Sequence, residues 1–350
     1  MNGGQLSRPP ASLNRRAETL KSQRDNRLTV TVQEEIPAFL STYELTALRP
    51  PTLIDKGVDN LNFVVATQRG RVVVRRYGRT SRGDIPFELE TLLHLASVRF
   101  PVPRVLTNAH GETLGVLANG PATIFEFVDG LHPTLVDSSP EVVGRWLAEY
   151  HAAIRGFTPL HQKQFTETTR LDQVSAYASA MHTTGSGYDA FLAHLDRFRE
   201  QHCGFLQQVL PTLPSGVIHS DFRPDNLLVN RRSLVAVLDF DTSYVASLLR
   251  DISETILIWA VSSEEIPIEP SVLHGLLEGY QEVRSLTPAE HLALYPSVLL
   301  ACLCDAAGYL TRRIDEGSPA LQASDSTMYL RYLELLKTPW PIYGCEYHID

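Results

Sequence analysis

The hydrophobic pattern of this 350-residue chain changes period once, and that change limits its folds more than any single motif does. Up to about residue 127 the apolar residues read mostly as strands. The segments 61-LNFVVAT-67 and 71-RVVVRRY-77 flank the polar turn Gln68-Arg69-Gly70 and form a hairpin signal through their β-branched content and the glycine between them. Further strands are predicted at 104-RVL-106 with 113-TLGVL-117, and at 121-PATIFEF-127. One helix interrupts them, 84-DIPFELETLLHLASV-98, with Asp84 as N-cap and apolar residues at 85, 89, 92, 93 and 96. A short helix is predicted before it, from about Glu34 to Leu48, ending at Pro50 and Pro51.

Beyond residue 127 the pattern is helical: at 140–156, where Pro140 suits the first turn, and near 172–182, 187–209, 251–261, 270–284, 288–313 and 321–337. Strands return only across 217–241. This segregation predicts an α+β fold of two packed lobes with a cleft between them. Residues 31–127 form an N-terminal antiparallel sheet with one helix, and residues 128–350 a mainly helical lobe carrying a hairpin. Residues 1–30, polar and rich in Gly, Ser, Pro and Arg, are predicted to be a poorly ordered tail.

Composition removes several classes of function. A hydrophobic share of 43% and a charged share of 20% belong to a folded globular chain. A net charge of −9 argues against a duplex nucleic-acid partner and fits a cationic or metal-bound ligand better. The N-terminus has no secretory apolar segment, and the run 297-SVLLACLCDAAGYL-310 is too short to span a bilayer, so a cytoplasmic protein without a membrane partner is expected. The four cysteines lack C-x-x-C spacing and read as free thiols.

The returning strands hold the chemistry. The stretch 217-VIHSDFRPDNLLVN-230 runs into 231-RRSLVAVLDFD-241, and a turn centred between Arg232 and Ser233 sets Asn226 directly opposite Asp239. Side chains so paired have Cβ atoms about 4.5–5.5 Å apart and can share one cation. An oxygen-only Asn and Asp pair suits Mg²⁺, which keeps waters and takes substrate phosphates as further ligands. Asp221, on the loop entering the hairpin, can stand beside such a metal and accept a proton from a hydroxyl. Asp241 is a further candidate contact if the strand continues. A turn rich in Asp, Asn and Pro is by itself only a turn, and it is the agreement of spacing with hairpin geometry that singles out Asp221, Asn226 and Asp239.

The pattern H-x-D-x-x-x-x-N followed by an Asp at the end of a hairpin resembles the aminoglycoside phosphotransferase and homoserine kinase family, relatives of protein kinases. The resemblance covers about residues 50–260 and implies a two-lobed, protein-kinase-like fold. It also implies Asp221 as catalytic base, and Asn226 and Asp239 as ligands of Mg²⁺. Ser220 stands where the family has glycine. The string 57-GVDNLNFVVATQRGRVVVRRY-77 resembles the family's phosphate-covering hairpin, which puts Asn60 and Asn62 near the nucleotide. Arg75 occupies the place of a phosphate-binding lysine, a change that keeps charge but not shape. On the helical wheel Glu88 lies in the apolar arc and Glu90 faces solvent, so Glu88 is the predicted partner of Arg75. The segment 124-IFEFVDG-130 resembles the inter-lobe connector, with main-chain contacts to adenine near Glu126 and Val128. The strings 147-LAEYH-151 and 250-RDISE-254 resemble family segments that support the site, with Asp251 capping a helix or bracing the catalytic loop.

What this implies is an ATP- and Mg²⁺-dependent transfer of the γ-phosphoryl group to a hydroxyl of a small molecule: an amino alcohol, an aminoglycoside or another antibiotic. The protein would act as a monomer or homodimer. The alternative is a non-catalytic kinase-like protein that binds a nucleotide or metabolite, for which Arg75 and Ser220 are the sequence evidence.

Overall fold

The computed structural model describes residues 28–54, 60–78, 84–134, 138–161, 163, 176, 188–260, 269–315 and 322–337. The predicted tail up to residue 27, residues 57–59 of the predicted hairpin string, all but residue 176 of the helical pattern at 172–182, and Cys345 lie outside the described residues. The chain divides into two compact units, one holding the residues up to Ile85 with Pro103–Phe127, the other Pro86–Val102 with everything from Val128.

In the first unit, helix α1 (28–41) precedes a five-stranded sheet made of β1 (Thr52–Ile54), β2 (Leu61–Thr67), β3 (Gly70–Arg76), β4 (Gly115–Leu117) and β5 (Gly120–Glu126). The strand order is β1-β2-β3-β5-β4 and every pairing is antiparallel. Helix α1 begins and ends earlier than the sequence pattern predicted. Its buried Val32, Ile36, Phe39 and Leu40 cluster with Phe63, Val65, Val72, Val74, Ala122 and Ile124, which alternate along three strands as a period of two requires. Each of the Val, Ile, Leu and Phe side chains contributes about 1.5–3 kcal/mol by leaving water. The opposite face presents Asn62, Val64, Ala66, Val73 and Arg75, all half-buried. Gly70, at φ 115°, closes the β2–β3 turn in a conformation that glycine adopts without strain.

Helix α2 (Ile85–Ser97) follows in sequence but groups with the second unit. Its contacts give the reason. His94 stacks on Phe157 at 4.3 Å and bonds the Ala153 carbonyl at 3.0 Å. Glu90, which the helical wheel turned to solvent, accepts bonds from the backbone N–H groups of Leu160 and His161. Leu93, counted in the apolar arc, is exposed.

The rest of the second unit comprises helices α3 (Pro140–Ala153), α4 (Asp189–Phe198), α5 (Gly204–Val209), α6 (Leu248–Trp259), α7 (Pro270–Gln281), α8 (Pro288–Asp315) and α9 (Thr327–Lys337). It also holds two short antiparallel ribbons: β6 (Ser215–Ile218) with β9 (Tyr244–Ser247), and β7 (Leu227–Asn230) with β8 (Ser233–Val237). Helices α3 and α7 cross backbone on backbone. A Cβ on Gly144 would come 1.9 Å from the Leu276 carbonyl oxygen, and one on Gly279 would come 1.8 Å from that of Glu141. Helix α8 is apolar and long enough to cross a membrane by composition, but 78% of that window is buried inside the unit, so its apolarity serves the core.

Candidate active site

The loop between β6 and β7 is built around one buried carboxylate. Asp251, in the first turn of α6, is fully buried and accepts the backbone N–H of His219 at 2.8 Å and that of Ser220 at 2.7 Å. Its Oδ2 also meets His151 Nε2 at 3.1 Å, while His151 Nδ1 meets the Tyr280 hydroxyl at 2.7 Å. Burial pushes the Asp251 carboxyl up. The hydrogen bond and charge of His151, together with His219, outweigh that and hold it below the ordinary carboxylate value. Burial also pushes the Tyr280 hydroxyl well up, so it stays protonated. The family resemblance gave Asp251 as a cap or a brace, and its bonds to His219 and Ser220 make it a brace; Tyr280 carried no signal, because it lies 129 residues from His151 in the chain.

His219 is fully buried and both of its ring nitrogens are engaged: Nδ1 accepts the Asp221 N–H at 3.2 Å and Nε2 donates to the Leu238 carbonyl at 2.8 Å. That is a neutral, orienting imidazole, packed against Phe222 and Phe240. Trp259 Nε1 holds the Phe222 carbonyl at 2.8 Å from the end of α6. Between these anchors Ser220 is forced to φ 62°, a left-handed conformation that accounts physically for a glycine preference there.

Asp221 emerges from the loop with its side chain 24% exposed. Asn226 Nδ2 donates to its Oδ2 at 2.7 Å and to its backbone carbonyl at 3.0 Å. Arg223 Nε donates to the other oxygen, Oδ1. With its nitrogen spent on Asp221, Asn226 keeps its amide oxygen for another partner. Asp239 does not stand directly opposite. The turn is the two-residue pair Arg231-Arg232, both at positive φ, and a bulge at Val235 shifts the register between Leu228 and Val229. Asn226 therefore pairs with Leu238, whose N–H reaches its carbonyl at 2.8 Å. Asp239 follows at φ 63°, outside the strand. The alternation argument consequently stops before Asp241.

Oxygen atoms of an Asn and an Asp suit a hard divalent cation that keeps waters and substrate phosphates, so this donor set fits Mg²⁺. Among the described residues no group of three or more His, Cys, Asp or Glu forms a metal cage. A two-ligand site completed by substrate does not need one.

In the first unit Arg75 and Asn62 are register partners, and Arg75 Nε donates to Asn62 Oδ1 at 3.0 Å. Its guanidinium lies 5.5 Å from the Phe125 ring centre and 5.9 Å from that of Tyr77. Arg76 points to the other face and is buried. Asn60 accepts the Gly78 N–H at 3.0 Å, tying the start of β2 to the end of β3. The Glu126 N–H is already donated to the Arg104 carbonyl at 2.9 Å, and that of Phe127 to Arg71 at 3.1 Å; Val128 comes after these bonds. Glu88, in the second unit, is 2% exposed.

The loop thus holds a left-handed Ser220 fastened to a buried Asp251, and a carboxylate clamped by an asparagine at the mouth of a hairpin. The family model of the phosphotransferase enzyme family, APH, matches residues 51–292, and the chain belongs to that family. It is 31% identical to a homoserine kinase of Afipia carboxidovorans over 82% of this chain and 86% of that one. It is also 31% identical to one of Brucella anthropi over 74% and 78%. Solved structures with the same fold include an amicoumacin kinase in complex with AMP-PNP, Ca²⁺ and amicoumacin, at TM-score 0.65 and 15% identity over 87% and 94% of the two chains. A microcompartment-associated aminopropanol kinase follows at TM-score 0.62 and 19% identity over 86% and 94%. The chain is thus a small-molecule kinase acting on a hydroxyl group, with ATP use implied by its family.

Proposed function

We propose that this kinase phosphorylates the hydroxyl of a small amino alcohol of the homoserine type, with ATP as donor and Mg²⁺ as the metal. The observation that carries the site is the pair of hydrogen bonds from Asn226 Nδ2 to Asp221, which sets one residue's carboxylate and the other's amide oxygen on a single loop. The homoserine kinases at 31% identity support the acceptor class.

In this reading Asp221 orients the acceptor hydroxyl and takes its proton as the new O–P bond forms and the bond from the γ-phosphorus to the bridging oxygen breaks. Asn226 Oδ1 and Asp239 would hold Mg²⁺, which when bound neutralises charge on the phosphate oxygens. Arg75 and Glu88 position the nucleotide phosphates. Asn62 holds Arg75 through its Nε, and Asn60, whose Oδ1 ties the start of β2 to the end of β3, sits with it near the nucleotide. The main chain at Glu126 and Val128 takes the adenine, with the Val128 amide as the remaining donor. No covalent nucleophile is needed, because alignment and charge stabilisation carry catalysis of this type.

The experiment is ³¹P detection of product across homoserine, aminopropanol, choline and aminoglycosides, with Asp221→Ala as control. Transfer to an amino alcohol, lost in the variant while Mg²⁺·ATP binding stays, is the expected result. Full activity of Asp221→Ala removes the base assignment, and transfer only to aminoglycosides removes the acceptor assignment.

A further inference from the structure

Arg223 is the only arginine or lysine between Ile218 and Arg231, and it stands beside the proposed base. Its Nε is bonded to Asp221 Oδ1, yet its side chain is 46% exposed. The two Nη groups have no partner among the described residues. Asp221 is already held without it, since Asn226 secures the other carboxylate oxygen and the backbone carbonyl. A guanidinium tied by Nε alone presents its Nη edge outward, the edge whose parallel N–H groups match a carboxylate.

The surrounding charge sharpens this. Asp221 and Asp225 lie in the loop, and Asp239 and Asp241 follow the hairpin that it enters. An acceptor bearing a carboxylate would be repelled there unless a cation received it. An acceptor bearing only an amine would gain nothing from Arg223, which would instead oppose its charge.

We propose that Arg223 determines acceptor specificity: its Nη edge binds a carboxylate of the same molecule whose hydroxyl is presented to Asp221. The acceptor is then a short hydroxy amino acid, with hydroxyl and carboxylate a few carbons apart, rather than an amino alcohol without an acid group. This rests on the amino-alcohol reading above and narrows it. Homoserine has both groups at such a spacing, and aminopropanol lacks the carboxylate.

The test compares homoserine with its methyl ester, which keeps the hydroxyl and the amine and removes the negative charge. Initial rates are measured for the wild type, Arg223→Met and Arg223→Lys, with thermal midpoint and Mg²⁺·ATP affinity as controls for folding and nucleotide binding. The wild type should prefer the acid. In Arg223→Met the ratio of kcat/KM for acid over ester should fall about tenfold or more, through KM, because one charge-assisted pair is lost. Arg223→Lys should recover part of the ratio, since it restores charge but not the fork. An unchanged ratio in Arg223→Met, or a loss confined to kcat and equal for both acceptors, overturns the proposal; the second pattern would place Arg223 on the phosphoryl group instead. Preference of the wild type for the ester, or for acceptors without a carboxylate, also overturns it. Turnover of a different hydroxy acid in place of homoserine would overturn only the homoserine reading, and the same acid-to-ester ratio then decides Arg223.

Discussion

Asn226 donates twice to Asp221, to the side-chain oxygen at 2.7 Å and the backbone carbonyl at 3.0 Å, five residues back along one loop. Replacing Asn226 with Asp keeps an oxygen for a cation but removes both donors and sets a second negative charge against Asp221. Transfer should fall on the order of 10²-fold, the cost of misplacing a reacting group. Steady-state kinetics with a matched circular-dichroism spectrum checks it, and near-native kcat would show that the clamp does not position the base.

Asp251 links the fold of the candidate loop to acid stability. Its folded carboxyl titrates below the ordinary value of 3.8. Its stabilising contribution is therefore complete above that value and is lost as pH falls through the lower folded one. Asp251→Asn should be less stable at neutral pH, because a buried acceptor of two backbone N–H groups and a histidine is weakened. It should also show a flatter fall in stability below about pH 4. Urea midpoints measured from pH 3 to 7 give both quantities; parallel wild-type and variant curves would disprove the linkage.

Ser220 carries left-handed backbone strain at φ 62°, and its buried hydroxyl has no hydrogen-bond partner among the described residues. Ser220→Gly should stabilise the protein by about 1 kcal/mol, since the left-handed cost of roughly 1–2 kcal/mol exceeds the extra chain entropy of glycine. Denaturant titration reads this directly, and a destabilised variant would show that the loop tolerates serine without strain.

The crossing of α3 and α7 leaves no room at Gly279, where an added Cβ would lie 1.8 Å from a backbone oxygen. Gly279→Ala should cost about 3 kcal/mol or more, because backbone must move and not a side chain. It should also lower kcat through the neighbouring Tyr280, which holds His151. A variant with wild-type thermal midpoint would contradict the packing.

The sequence by itself determined the elements and the chemistry of the loop. Period-two and helical patterns need only neighbours along the chain, so the sheet of the first unit, the helices of the second and the grouping of Asp221 with Asn226 were legible. Three things were not. Helix α2 joins the second unit because His94 and Glu90 find partners 59 to 71 residues away. The hairpin register depends on a two-residue turn and a bulge at Val235, which together set Leu238, not Asp239, against Asn226. The buried line from the loop after β6 through Asp251 and His151 to Tyr280 joins positions 100 and 129 residues apart. Local spacing encodes which groups a segment offers. Which of them meet is decided by the burial of distant polar atoms, each of which must find a partner once water is excluded.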